Sequence, residues 1–407
     1  MNIRIVIITC FLLILGIPAR AQWVQSSNGI ADNYNISCFA VIGQDIYAGG
    51  TGFPGGVYRS TDDGSNWTFA NNGLPGNSYD YIISLAAIGT DLYMGTLDSG
   101  VYRSTDSGAS WTAENTGLSN ASVNSLANIG TTLFAGTMGD GIYRSVNNGA
   151  SWTSANVGLT DPVVNAIAVV GPNLFAGTPD SGIYRSTDNG ANWTRENEGL
   201  SNLDITTFAV RGMNLFAGTY AGVYRSNDSG TNWTSASSGL PTSHIVALAV
   251  YGTTNLFVSD LGTVWLSTNN GVSWTVLPVY DNNILFSSLA LMGTNLFGGG
   301  YGVWRLSLSS LGVTETAESQ SEIKINSFPN PFSQSTQITF SSQSSGYAEV
   351  SIVNMLGMEV ARLFSGELGA GEHNFLWDKP TGLPDGTHEC LVRMNGQVET
   401  LPIVLMR

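Results

Sequence analysis

Cationic residues are scarce in this chain. Lysine occurs twice, at Lys324 and Lys379, and 15 Lys and Arg face 30 Asp and Glu, for a formal charge of −15. Sequence-independent nucleic-acid binding needs a basic surface that displaces counterions, so a nucleic-acid partner is excluded. Cysteine occurs only at Cys10, Cys38 and Cys390. With Cys10 inside an N-terminal apolar run, the other two read as isolated thiols rather than a disulfide framework. His244, His373 and His388 are too scattered along the chain to suggest a constellation. There is no Gly-rich phosphate loop, no Cys/His metal cluster and no calcium loop of spaced aspartates. No metal site is therefore assigned and no cofactor is implied, while the acidic loops leave a structural divalent cation open.

Repetition takes the place of these motifs. The pattern Ser-x-Asp/Asn-x-Gly-x-x-Trp starts at Ser60, Ser104, Ser145, Ser186, Ser226 and Ser267, each time after Val/Ile-Tyr/Trp-Arg/Leu. Its tryptophans, Trp67, Trp111, Trp152, Trp193, Trp233 and Trp274, are 44, 41, 41, 40 and 41 residues apart. A fixed period near forty marks a solenoid or a ring of repeated units. The third residue of each copy is Asp62, Asp106, Asn147, Asp188, Asp228 or Asn269. Such a side chain bonds backbone N–H groups further along, and the following glycine, Gly64 in the first copy, takes positive φ at little cost. The motif reads as a hairpin turn whose Trp opens the next strand and offers a flat apolar face to a neighbouring unit. A lost turn cap costs about 1 kcal/mol, by analogy with helix caps, and a lost buried Trp about 3–5 kcal/mol.

Each repeat reads as four short strands with turn signals between them, which argues for an all-β ring. The first strand recurs seven times, with a small residue at Ala40, Ala86, Ala127, Ala168, Ala209, Ala249 and Ala290. The second is Leu-Phe-Ala-Gly-Thr or close to it, the third Val/Ile-Tyr-Arg-Ser, and the fourth runs from Trp-Thr to Gly-Leu. The third strand also recurs seven times, but no motif follows its last copy at Val303-Trp304-Arg305. The stretch from Trp23 to Gly29 has the Trp-to-Gly offset of the missing fourth strand. The expected fold is all-β: a seven-bladed β-propeller closed by the N-terminal strand, leaving no open edge.

These motifs resemble the Asp-box, or BNR, repeat of the sialidase-like β-propellers, with Asn147 and Asn269 standing where that family has Asp. A second resemblance lies in the tail. Phe328-Pro-Asn-Pro-Phe332, Gly357 after an apolar strand, Gly371-Glu-His and Trp377, and Leu383-Pro-Asp-Gly-Thr387 look like the C-terminal sorting domain of the type IX secretion system. His388 departs from it by standing where Tyr is usual. Alternating strands there suggest a small β-sandwich. The resemblance implies the secretion machinery as a partner. It also implies a protein that is secreted, or anchored at the outer surface, of a Bacteroidetes-type bacterium.

The expected organisation is a signal peptide at 1–21, the propeller at 22–311, a linker at 312–322 and the sorting domain at 323–407. The signal rests on Arg4, the apolar run Ile5–Ile17 and the Ala19-Arg20-Ala21 cleavage site. That run is too short to span a bilayer comfortably, so no transmembrane segment is expected in the mature chain.

In a propeller the second-to-third and fourth-to-first loops share one face, and the Asp-box turns share the other with the first-to-second turns. The first of these is the expected ligand face. It collects Asp98, Asp140, Asp180 and Asp260 on second-to-third loops, and Asp32, Asp80, Asp161, Asp204 and Asp281 on fourth-to-first loops. Tyr34, Phe53, Tyr79, Tyr81, Tyr220 and Tyr280 join them. From these, Tyr79, Asp80, Tyr81, Asp98, Asp140, Asp161, Asp180 and Tyr220 are the candidate ligand-binding residues, and no residue is assigned a catalytic role. Arg59, Arg103, Arg144, Arg185, Arg225 and Arg305 fall late in the third strand and read as structural. Arg211 falls in a first-to-second turn and Arg195 on an outer strand. The sialidases of the resembled family hold a sugar carboxylate with converging arginines, whose planar forks fit it bidentately, and no arginine is expected on this face.

Two functions follow. The first is a secreted or cell-surface binding or adhesion propeller that recognises extracellular glycan or protein, since aromatic rings stack on sugars and carboxylates accept their hydroxyls. The alternative is a non-sialidase glycoside hydrolase, which needs only two carboxylates flanking a bond. A third, plainer reading is a structural surface component with no small ligand.

Overall fold

The computed structural model describes residues 23–311 and 324–405, apart from positions 33, 53–54, 75–80, 242–243, 278–284, 331, 343–344, 355–358, 381–382, 384–385 and 395–396. The expected signal peptide and linker lie outside the described residues, as do Phe53, Tyr79, Asp80, Tyr280 and Asp281.

The described residues are all-β, with one short 3-10 turn among them, at Leu308–Leu311. Between residues 24 and 307 the strands form four-stranded antiparallel sheets, seven among the described residues. The first sheet is Asn35–Ile42, Asp45–Thr51, Gly56–Ser60 and Thr68–Phe69; five sheets repeat its order, and the seventh is Ser288–Met292, Asn295–Gly300, Gly302–Ser307 and Val24–Gln25. The last strand comes from the other end of the chain, with Val24 opposite Arg305 and Gln25 opposite Trp304. First strands of successive sheets lie side by side, and Ser288–Met292 lies beside Asn35–Ile42. The Ser287 hydroxyl donates to the Ile36 carbonyl at 2.7 Å across that junction.

Second strands are almost wholly buried, as in Asn173–Thr178, so they read as continuous apolar runs. Phe134, Phe175, Phe216, Phe257 and Phe297 are each fully buried between neighbouring sheets. Fourth strands are shorter than expected: two residues in most sheets, three in Thr275–Leu277. The reason is local. After Thr68–Phe69 the Ala70 N–H still bonds the Val57 carbonyl, but Asn71 then turns the chain, its carbonyl accepting from Leu74 N–H at 3.1 Å.

The turn motif is built as its residues predict. Ser60 Oγ accepts from the Gly64 N–H at 2.9 Å and donates to Asp62 at 2.9 Å, while Asp62 accepts from the Asn66 N–H and amide at 2.8 and 2.7 Å. Asp63 (φ 56°) and Gly64 (φ 74°) both take the left-handed region here. In the two Asn copies the partner four residues on is a serine, and the Asn147 and Asn269 amides donate to Ser151 and Ser273 Oγ at 2.9 and 2.8 Å. Serine also partners Asp106, where Ser110 Oγ donates at 2.6 Å, so the hydroxyl serves either residue.

The third-strand arginines bind locally. Arg59 pairs with Asp45 at 2.6 Å, Arg103 with Asp91 at 2.5 Å, and Arg305 donates to the Asp63 carbonyl at 2.7 Å.

In the tail, Lys324–Phe328, Ser335–Ser342 and Gly371–Asp378 form one antiparallel sheet, and four further strands between Gly346 and Leu405 form another. Phe332, Phe340, Val350, Ile352, Trp377, Val392 and Ile403 make their shared core. His388 is buried there, edge-on to Trp377 at 5.6 Å, so it fills an aromatic position. Cys38 is half-buried and Cys390 buried; burial pushes both thiols up to about 12, which leaves them unreactive thiols at neutral pH.

Candidate ligand face

Hydrogen bonds join the two loop classes on one side of the sheets. The Gly100 N–H in a second-to-third turn donates to Ala121 O in the next fourth-to-first loop at 2.8 Å, and Gly141 N–H to Pro162 O at 2.7 Å. On the other side, Arg211 at the end of a first strand bonds the Asn270 side chain of the next Ser-x-Asp/Asn-x-Gly turn, and Tyr47 Oη donates to Ser107 O at 3.0 Å.

Exposed apolar side chains gather on the first side. Tyr81, Met138, Leu203, Tyr220, Leu261, Leu285 and Tyr301 are all exposed there, whereas Val146, Met213 and Val272 represent the side of the third-to-fourth turns. Apolar surface that folding leaves in water, grouped on one face, marks an interaction site.

The turns on this face come in two constructions. In the first four sheets an asparagine four residues after the Trp clamps the second-to-third turn. Asn71, Asn115, Asn156 and Asn197 accept from Val57, Val101, Ile142 and Ile183 N–H at 2.6–2.8 Å. Their amides donate to Gly55, Ser99, Asp140 and Ser181 O at 2.7–2.9 Å. Each amide lies over a glycine, so a Cβ at Gly56 would come 1.8 Å from the Asn71 nitrogen. In the fifth and seventh sheets the clamp position holds Ser237 and Ser27, whose hydroxyls accept from Val223 and Val303 N–H at 2.9 Å and return to the same residues' carbonyls. Both turns are shorter, and both present a tyrosine: Tyr220-Ala221 before Gly222, and Tyr301 alone before Gly302.

The candidate residues separate accordingly. Asp98 and Asp180 are exposed on clamped turns. Asp140 is exposed but accepts from Ser119 Oγ at 2.6 Å and Tyr143 Oη at 3.3 Å. Asp161 is buried at 6% exposure, with Oδ1 accepting from Val163 N–H at 3.1 Å, so it caps a turn. Asp260 likewise accepts from Thr263 N–H at 2.8 Å and Trp265 Nε1 at 3.2 Å. Tyr34 belongs to the core: it is fully buried and its hydroxyl donates to Gly56 O. Tyr81 is exposed, and its carbonyl accepts from Leu97 N–H at 3.0 Å.

The fold does assemble one group around Tyr220. Its ring stacks on His244 with centroids 4.5 Å apart and planes at 26°, and its N–H donates to Asp204 O at 3.1 Å. Burial raises the Asp204 carboxyl above its usual range; the His244 charge opposes this and the Asp180 charge adds to it. Four residues from four loops thus act on one another, including the histidine that the sequence left isolated. The only sequence signal was the shared offset of His244 and Asp204 before a first strand. Arg195 is also closer to this side than its strand suggests: its guanidinium donates to Tyr184 Oη at 2.9 Å and Thr160 Oγ1 at 3.3 Å. It is a single arginine and already engaged, so no converging set forms. Among the described residues no group of three or more His, Cys, Asp or Glu is spaced to hold a metal ion. None of their helices is long and apolar enough to cross a membrane.

The family model described as the DUF6242 beta propeller domain matches residues 87–199. No curated protein matches the chain in sequence. Several solved structures share its fold. PorZ, described as an essential surface component of the type-IX secretion system of Porphyromonas gingivalis, is 15% identical over 93% of this chain and 60% of its own, with a TM-score of 0.57. The extracellular domain of the BT4673 one-component system from B. thetaiotaomicron is 15% identical over 95% of this chain and 59% of its own, TM-score 0.58. The GH74 xyloglucanase from Xanthomonas campestris is 16% identical over 79% of this chain and 59% of its own, TM-score 0.59. The chain therefore spans about 60% of each of these proteins. Its fold is that of a β-propeller domain.

Proposed function

We propose that the chain is a seven-bladed Asp-box propeller, closed by its N-terminal strand, that binds extracellular glycan through its acidic, aromatic loop face. In this reading residues 22–311 are the binding unit. The signal at 1–21, the linker at 312–322 and the sorting domain at 323–407 serve export by type IX machinery and display at, or release from, the outer surface of a Bacteroidetes-type cell. The pairing of Val24–Gln25 with Gly302–Ser307 supports closure. The observation that carries the functional reading is the exposed Tyr220–His244 stack beside Asp204 and Asp180. A flat aromatic platform with carboxylates at its edge suits a sugar ring, whose C–H face stacks and whose hydroxyls donate. Tyr81 and Asp98 extend the same face, Asp140 and Asp161 shape its turns, and Tyr79 and Asp80, outside the described residues, are the further candidates. A glycan array probed with the full chain tests this. Binding to at least one polysaccharide, lost in Tyr220→Ala and His244→Ala, is expected; unchanged binding in both overturns the site.

One observation favours the hydrolase alternative. A carboxyl held above its usual range beside a second carboxylate is the arrangement from which a general acid is made. Release of reducing ends from xyloglucan or another neutral polysaccharide, abolished by Asp204→Asn and by Asp180→Asn, would establish it.

A further inference from the structure

We propose a second saccharide site, independent of Tyr220, in the groove where the N-terminal segment meets the seventh sheet. The groove has a volume of ≈ 550 Å³ and is lined by Gln25, Ser27, Asn28, Asp32, Tyr301 and Gly302, together with Ile30 and Ala31. That volume lies within the 300–1,000 Å³ range of small-molecule sites, about right for one or two sugar rings.

Its origin can be traced residue by residue. In the first four sheets the corresponding space holds an asparagine amide folded over the turn glycine. Here Ser27 takes the clamp position and reaches only Val303, at 2.9 and 3.0 Å. The turn has also shrunk to Tyr301 between Gly300 and Gly302. Both changes remove atoms from one place, and both leave polar groups around what remains. Tyr301 is 62% exposed, a large aromatic area to leave in water, and the fifth sheet's serine-clamped turn does the same with Tyr220.

The chemistry of the lining selects the ligand. Two amides, a hydroxyl and one carboxylate surround one aromatic face, with no cation among them. Phosphate or uronate ligands have no counter-charge here, and the net charge of −15 repels them further. A neutral pyranose fits: its apolar face lies on Tyr301, and its hydroxyls donate to Asp32 and to Asn28 Oδ1, the Asn28 amide N–H donating to Asn66, and bond both ways with Gln25. The site rests on the general reading of this face as ligand-binding but uses none of the Tyr220 group, so either can fail alone.

The test is calorimetric titration of the full chain with cellobiose, xylobiose, mannobiose and maltose, alongside digalacturonate. At least one neutral disaccharide should bind and digalacturonate should not. Ser27→Asn, which restores the amide used by four other sheets, should weaken binding at least tenfold with an unchanged unfolding midpoint. Tyr301→Ala, at an exposed position that does not support the fold, should do the same, and Tyr220→Ala should leave this affinity unchanged. Failure of all four neutral sugars to bind overturns the proposal. So does binding that survives both Ser27→Asn and Tyr301→Ala, or that Tyr220→Ala removes.

Discussion

The indole N–H of Trp67 donates to the carbonyl of Ser26 at 2.6 Å, joining the first turn motif to the N-terminal segment. The same bond recurs between sheets consecutive in the chain: Trp111 to Ala70, Trp152 to Glu114, Trp193 to Ala155, Trp233 to Glu196 and Trp274 to Ala236, at 2.7–3.1 Å. Each tryptophan thus reaches the sheet before its own, and for Trp67 that sheet is the seventh. Residues 23–29 therefore behave as part of the last repeat while lying at the start of the chain.

Truncating Trp67 removes a buried ring and leaves the Ser26 carbonyl without its donor. Trp67→Ala should cost about 3–5 kcal/mol and Trp67→Phe about 1–2 kcal/mol in urea unfolding. Trp152→Phe, within the continuous part of the chain, should cost a similar amount. A far smaller loss at Trp67 would mean the N-terminal segment contributes little to stability.

Hydrogen bonds from Asn232, first from its backbone N–H and then from its amide, bring the Asp228 carboxyl down to about 2. Asp62, Asp106 and Asp188 are lowered in the same way by their partners. A carboxyl depressed on folding stabilises the protein above its unfolded value, roughly 3.9, and that stability is lost as pH falls through the folded value. Thermal midpoints should therefore drop between about pH 4 and pH 2. Asp228→Asn alone leaves its amide facing the Asn232 amide and should destabilise by about 1 kcal/mol. Adding Asn232→Ser rebuilds the pair seen at Asn147 and Ser151, and should recover that loss with a shallower acid limb.

The clamp asparagines are predicted to matter more than their polar, loop-like setting suggests. Asn156→Ala leaves the Ile142 N–H and the Asp140 carbonyl without partners, for a cost of about 1–3 kcal/mol. Asn156→Ser, which keeps one of the two bonds, should cost less. Chemical denaturation of the two variants gives the ordering directly.

Asp204 titrates above the usual carboxylate range because burial disfavours its charge, and a cationic His244 holds it back. Removing that charge in His244→Ala should raise it further, and Asp180→Asn should lower it. For a carboxyl raised on folding, stability is fullest below the unfolded value and falls as pH rises through the folded one. Carbon-detected NMR titration of the Asp204 carboxyl reads both shifts.

Strand order and turn construction were legible because they depend on neighbours in sequence. Ser60, Asp62 and Gly64 sit within five residues of one another, and nothing distant changes what their short side chains can bond. Face assignment was legible for the same reason, since a strand that starts on one side ends on the other. Contacts between loops were not. Tyr34 and Asp161 look like loop residues with a polar atom to offer, yet packing from a neighbouring sheet buries them. His244 looks solitary because its partners lie 24 and 40 positions back, at Tyr220 and Asp204.

The sequence by itself determined the repeat, the hairpin chemistry of each Ser-x-Asp/Asn-x-Gly turn and the origin of the seventh sheet's outer strand. All three follow from backbone preferences and periodicity, which act over a few residues and then repeat. Tertiary structure alone decided which loop side chains remain in water and which meet. Those outcomes depend on small differences at sheet junctions, such as a serine in place of an asparagine at Ser27, whose effect appears only when the space they leave is bounded by residues from the opposite end of the chain.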